Sequence, residues 1–194
     1  DNHVGYSVPI GGVIAYRDRI SPSAVGFDIG CGVICARLAI SANEVRDSID
    51  PILDELYPNL YFGMGRKNKE PIEHPIFNDT AWDVAVARGL KNLAQEQLGT
   101  IGSNNHFVDL LIDESGRVWG MGHFGSRGLG HKIATHFIEA GGGKDGMFVE
   151  PVLLDTNTQL GQEYIACMRL AQKYAFAGRE WVASRVAKLL STEI

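Results

Sequence analysis

Ser21-Pro22-Ser23-Ala24-Val25-Gly26-Phe27-Asp28-Ile29-Gly30-Cys31-Gly32-Val33 is the stretch around which the rest of the chain is read. A carboxylate and a thiol stand three positions apart in it, at Asp28 and Cys31, with Gly26, Gly30 and Gly32 around them. Glycine permits positive φ and close backbone approach, so a short loop of this kind can aim two side chains at one spot. Apolar runs flank it, Gly11-Gly12-Val13-Ile14-Ala15 before and Val33-Ile34-Cys35-Ala36-Arg37-Leu38-Ala39-Ile40 after. The expectation is a loop at strand ends, between a buried strand over 10–15 and another over 33–40. Soft sulfur beside hard oxygen suits a borderline divalent ion, Zn, Mn, Co or Fe, better than Mg or Ca. Burial as an inert thiol is the commoner fate of a free cysteine. The metal reading therefore depends on what lies further along.

The whole chain sets the bounds. Its 194 residues suffice for one domain over 1–194 with a substantial core. A composition of 45% hydrophobic and 21% charged residues is that of a soluble globular protein. No apolar run of about eighteen residues announces a transmembrane helix, and no charged and apolar leader pattern is present. Three cysteines, Cys31, Cys35 and Cys167, form no recurring pattern, which points to a reducing cytoplasm rather than a disulfide framework. The formal net charge of −5 gives no support for a basic nucleic-acid face, although a local patch is compatible with it.

In chain order, Ser41 or Asn43 caps a helix with Val45, Ile49, Ile52, Leu53 and Leu56 inward, kinked or split at Pro51 and followed by Pro58. Residues 60–78 form a loop whose basic run, Arg66-Lys67-Asn68-Lys69, reads first as a solvated face. Asp79 or Thr80 caps a helix to about Leu98, ended by Gly99. Phe107–Ile112 and Val118–Met121 read as a hairpin turning at Asp113–Gly116. His106 and His123 stand at its two ends, so imidazoles 17 positions apart meet on one side. The run Phe124-Gly125-Ser126-Arg127-Gly128-Leu129-Gly130 then enters a helix over 131–140. Such a turn offers backbone N–H groups to an anion, and Arg127 adds a bidentate phosphate donor. An extended segment over 147–154 and a long helix over 161–190, interruptible at Gly178, close the chain.

Asp28, Cys31, His106 and His123 all fall at strand ends beside glycine turns, and Asn104 and Asn105 offer neutral hydrogen-bonding groups next to them. Together they indicate a metal site handling an anionic, phosphorylated substrate. His3, His74, His131 and His136 are assigned structural roles.

Five segments resemble the RtcB family of RNA ligases: Asp1-Asn2-His3-Val4-Gly5-Tyr6 with Pro9-Ile10-Gly11-Gly12; Gly26–Val33; Gly102-Ser103-Asn104-Asn105-His106-Phe107; His123–His131; and Gly161-Gln162-Glu163-Tyr164 with the Ala-rich helix after it. They follow the family's order along nearly the whole chain. The resemblance implies an α/β fold of α+β type, with mixed sheets and flanking helices, incomplete at the C-terminus. It implies a ligase that joins RNA 3′-phosphate or 2′,3′-cyclic phosphate ends to 5′-hydroxyl ends with GTP and Mn2+, Zn2+ or Co2+ being alternatives to manganese. On the matching positions Asp28, Cys31, His106 and His123 become metal ligands, Asn105 contacts the guanylate, and Arg127 holds a phosphate, so that Cys31 and Arg127 are the catalytic candidates. Family enzymes are roughly twice this long, and the histidine that takes the guanylate has no counterpart in these residues. The expectation is therefore the N-terminal and central portion of such an enzyme, of a divergent kind given Gly30 and Gly178, inactive alone. The rival is a metal-binding module that has no ligase activity.

Overall fold

Thr158 starts the helix on which the other elements lie. Its side chain accepts the N–H of Gly161, and the helix runs as α6 over Gln159–Leu189, about 46 Å at 1.5 Å per residue. The computed structural model describes residues 3–146 and 148–194. In it Tyr164, Cys167, Leu170, Ala171, Tyr174, Val182 and Val186 bury one stripe of α6 at helical spacing. The N-terminal half of the stripe packs with Ile29, Trp82, Leu98, Leu129, Ile133 and Phe137. The C-terminal half packs with Leu38, Val45, Ile52, Leu56, Val118 and Phe124.

The elements before α6 are β1 (Arg19–Ile20), α1 (Pro22–Val25), β2 (Gly32–Ser41), α2 (Ala42–Asp47), α3 (Ile49–Asn59), α4 (Ala85–Gln97), β3 (Phe107–Ile112), β4 (Arg117–Phe124), α5 (Arg127–Ala140) and β5 (Leu154–Asp155). The larger sheet has the order β2-β4-β3, and β1 pairs with β5. Both sheets are antiparallel, which fits the expected α+β class.

Register explains the placement of the site. Val33 and Phe107 both pair with His123, so the three form one row across the sheet end. Two residues on, Cys35, Met121 and Asp109 form the next row of that face. The alternate residues Ala36, Leu38, Val118 and Gly120 are buried on the opposite face, where a Cβ on Gly120 would touch Leu38 and Val186. The hairpin turn is fixed by Asp113. Its Oδ1 accepts the N–H groups of Ser115 and Arg117, and its Oδ2 accepts Arg117 Nε at 2.6 Å and Trp119 Nε1 at 2.9 Å.

Several expectations are corrected. No strand forms over 10–15: Ile10 makes only an isolated bridge to His3, and Val13 is 97% exposed. An apolar run is a strand only where a neighbour supplies ladder partners, and none among the described residues does here. The helix after Ser41 is split at Ser48 into α2 and α3, with Pro51 in the first turn of α3, where its missing N–H costs nothing. Pro58 lies inside α3 rather than after it, and Ile49 and Leu53 are exposed. Asp79 caps a short 3-10 turn, Thr80–Asp83, and α4 begins only at Ala85. Helix α5 begins at Arg127, four residues before the expected start. Gly178 does not interrupt α6. Residues 148–153 are irregular, with β5 only at Leu154–Asp155. Asp1 and Asn2 of the opening stretch, and Met147 of the expected extended segment, lie outside the described residues.

The Asp113 carboxyl sits well below the usual carboxylate range, held there first by the Trp119 indole and further by Arg117 and the turn amides. A depressed folded-state pKa stabilises the fold above the unfolded value and loses that effect as pH falls. Asp113→Ala is expected to melt earlier than the parent at neutral pH, and the gap should narrow progressively as pH falls below about 5. Thermal melts followed by circular dichroism check this, and a gap that is constant with pH contradicts it.

Candidate metal centre

The Gly26–Val33 loop lies against α6 because Gly30 has no side chain. Its φ is 73°, and a Cβ there would lie 2.9 Å from Gln172 Cα. Arg179, one turn beyond Ala175 on α6, locks the loop in place. Its Nη1 donates to Gly30 O at 2.8 Å and to Phe124 O at 2.7 Å, joining the loop to the end of β4. Arg179 is 7% exposed. It was missed in the sequence, although the spacing 171, 175, 179 with Val182 puts a guanidinium on a helix's inner face, and that was the available signal.

The loop and the hairpin bring the expected side chains together. Cys31 Sγ lies 3.4 Å from His123 Nε2 and 3.7 Å from His106 Nε2. The ligand atoms of these three residues all fall within 4.8 Å of one another. Ligands at about 2.3 Å (sulfur) and about 2.1 Å (nitrogen) around a tetrahedral ion stand about 3.6 Å apart, so the spacing fits one ion. Asp28 joins through its Oδ2, 2.9 Å from His106 Nε2. It has room because Gly125 faces it: a Cβ there would lie 2.2 Å from Oδ1. His106 is nearly buried, with 8% side-chain exposure, whereas Cys31 faces solvent. A group can therefore approach from the sulfur side.

Asn105 Nδ2 is 3.4 Å from His123 Nε2, and Phe107 stacks on the His123 ring at 5.6 Å. Arg127 Nη1 lies 3.2 Å from His106 Nδ1. A guanidinium only donates, so Nδ1 accepts and the ring proton sits on Nε2, facing Asp28. When Nε2 becomes a ligand, the proton has to move to Nδ1, and Arg127 has to let go of it. Arg127 is held at φ 54°, a conformation that costs a non-glycine residue about 1 kcal/mol or more. Its Nε is buried without a partner among the described residues. The expected backbone cradle at this turn is partly filled: the N–H of Gly128 donates to Gln97 Oε1 of α4 at 3.0 Å. The side chain of Arg127, more than the turn amides, is what the site offers an anion.

Burial pushes Asp28 up, but hydrogen bonds from His106 and Cys31 and the charge of Arg127 outweigh it, leaving the carboxyl below its ordinary value. Burial, then the bond to Asp28 and the repulsion of its charge, pushes the Cys31 thiol up to about 12, against a smaller pull from Arg179. The other histidines have local partners. His74 Nδ1 accepts Ile76 N–H, His131 packs on Phe27, and His136 meets Phe137 edge to face. No helix among the described residues is long and apolar enough to cross a membrane.

The donor atoms of Cys31, His106 and His123 are spaced so that they could hold a divalent ion, with the Asp28 carboxylate and the strained Arg127 beside them. Similarity gives the family. The model of the family described as "tRNA-splicing ligase RtcB" matches residues 1–86 and 72–194. The tRNA-splicing ligase RtcB of Thermococcus kodakarensis is 31% identical over 94% of this chain and 49% of its own length. The RNA-splicing ligase RtcB of Escherichia coli is 35% identical over 72% of this chain and 38% of its own. The RNA-splicing ligase RtcB homolog 1 of Entamoeba dispar is 28% identical over 99% and 46%. The chain belongs to the RtcB family, and it spans about half the length of these relatives or less.

Because the Cys31 thiol is protonated at neutral pH, taking up an ion releases its proton. Affinity for Zn2+ or Mn2+ is expected to rise about tenfold from about pH 7 to about pH 8. Calorimetric titration at the two pH values measures this, and an affinity independent of pH contradicts it.

Proposed function

We propose that the chain carries the metal-holding part of an RtcB-type RNA ligase, which joins RNA 3′-phosphate or 2′,3′-cyclic phosphate ends to 5′-hydroxyl ends with GTP and Mn2+. The observation that carries this reading is the convergence of Cys31, His106 and His123 from three separate segments, with donor atoms within 4.8 Å. Family membership supports the RNA substrate. The thiolate in the donor set favours Mn2+, Zn2+ or Co2+ over Mg2+.

In this reading Asp28, Cys31, His106 and His123 hold the ion, which would neutralise charge building up at phosphorus. Arg127, released from His106, donates to a phosphate oxygen of the RNA end or of the nucleotide. Asn105, beside His123, orients the guanylate through its amide. Cys31, on the exposed side, leaves the approach open. The metal-binding module without ligase activity is the second reading, and one observation favours it: His74, His131 and His136 are engaged elsewhere.

Two measurements test the proposal. Cys31→Ala and His106→Ala should each bind Mn2+ at least about tenfold more weakly than the parent. The parent incubated with labelled GTP and Mn2+ should hold metal without a covalent guanylate on this chain. Unchanged metal affinity in both variants contradicts the site, and a covalent guanylate contradicts the assignment of that step to residues outside these 194.

A further inference from the structure

An aromatic and basic patch lies beside Arg127, and none of the roles above uses it. Tyr57, near the end of α3, stacks on Phe62 with ring centroids 5.9 Å apart and planes 12° apart. Tyr57 is 75% exposed, so the ring face turned away from Phe62 is open to solvent. Met64, two residues past Phe62, is 81% exposed.

Backbone contacts tie this patch to the site. Ile101 N–H donates to Tyr61 O at 3.1 Å, and Gly63 N–H donates to Gly102 O at 2.6 Å. Phe62 and Gly102 form a parallel bridge. Gly102 in turn abuts the Arg127 guanidinium, which a Cβ at that position would meet at 2.4 Å. Arg66 folds back over Gly63, its Cγ 3.3 Å from where a Cβ there would be. The sequence Tyr61–Glu70 holds three cations and one acid in a chain of net charge −5. Lys67 is paired with Glu96 at 2.5 Å. Arg66 and Lys69 make no ion pair among the described residues.

An open aromatic face, that of Tyr57 stacked on Phe62, with the unpaired cation Arg66 folded over the neighbouring Gly63, is the composition that grips a single-stranded nucleic acid, because every base has a face to stack and every nucleotide a phosphate. A purely apolar protein partner would have no use for the two free charges. We propose that Tyr57, Phe62 and Arg66 form a docking subsite for the single-stranded RNA end, with a base stacked on the outer face of Tyr57 and a backbone phosphate at Arg66, one residue layer from Arg127. This rests on the reading of the chain as part of an RNA ligase and extends it to where the strand lies.

The test is fluorescence anisotropy with a labelled single-stranded RNA of about ten nucleotides bearing a 3′-phosphate. It is run in EDTA, so that no bound ion contributes. Tyr57→Ala is expected to weaken binding about fivefold or more, while Tyr57→Phe keeps the parent affinity. Tyr57→Leu keeps a side chain on Phe62 but no ring, and should bind as weakly as Tyr57→Ala. Arg66→Gln should lower the slope of log affinity against log salt by about 0.7. Parent-like binding by Tyr57→Ala and Tyr57→Leu overturns the proposal. So does a parent that binds Mn2+ but no RNA, a result that leaves the metal centre standing. A patch that serves self-association overturns it too: sedimentation would then show a parent oligomer lost in Tyr57→Ala, with RNA affinity unchanged.

Discussion

The guanidinium of Arg179 is the contact on which the site depends. The Asp28/Cys31 loop and the end of β4 are far apart in sequence and meet where the β2–β4 ladder begins, at Gly32–Phe124 and Val33–His123. Arg179 donates to a carbonyl of each, 149 and 55 positions away. A hydrogen bond to a charged group contributes about 1.5–3 kcal/mol, and a buried carbonyl left unpaired costs about as much. Two carbonyls satisfied by one nitrogen act with the β2–β4 ladder to hold Cys31 beside His123. The cation also sits close enough to draw on Asp28 and Cys31 electrostatically, so the charge that holds the site also favours anionic ligands in it.

Close approach is the second constraint, and glycine provides it at two points. Gly30 lets the loop lie on α6, where a Cβ would collide with Gln172 backbone. Gly102 lets the Arg127 guanidinium lie flat on the chain next to His106. The strain at Arg127 is then part of the arrangement: a left-handed arginine at the first residue of α5 points its side chain back toward the imidazole instead of along the helix.

Much of the site was legible because its parts are local. The Asp113–Gly116 turn and the alternation on either side of it put His106 and His123 at one end of a hairpin, and the structure pairs Phe107 with His123. The glycines around Asp28 and Cys31 read as a loop, and they form one. What failed depends on partners distant in sequence. Val13 and Ile14 look like strand residues, but among the described residues no strand pairs with them and they are exposed. Gly125, Gly128 and Gly130 suggest a turn up to His131, yet Gln97 reaches across from α4 to take the Gly128 N–H and the helix starts earlier. Arg179 carried a helical-spacing signal, but nothing in the sequence says which carbonyls it would meet.

The proposed site is a sulfur and two imidazoles, held together by Arg179 and the β2–β4 ladder, that close on one divalent ion. Absorption spectroscopy during a Co2+ titration tests it most directly, because a thiolate bound to cobalt gives a charge-transfer band that imidazole and carboxylate ligands do not. The band is expected in the parent protein, is expected to be lost in Cys31→Ala, and is expected only at higher cobalt concentration in a folded Arg179→Met. A parent spectrum indistinguishable from that of Cys31→Ala would contradict it.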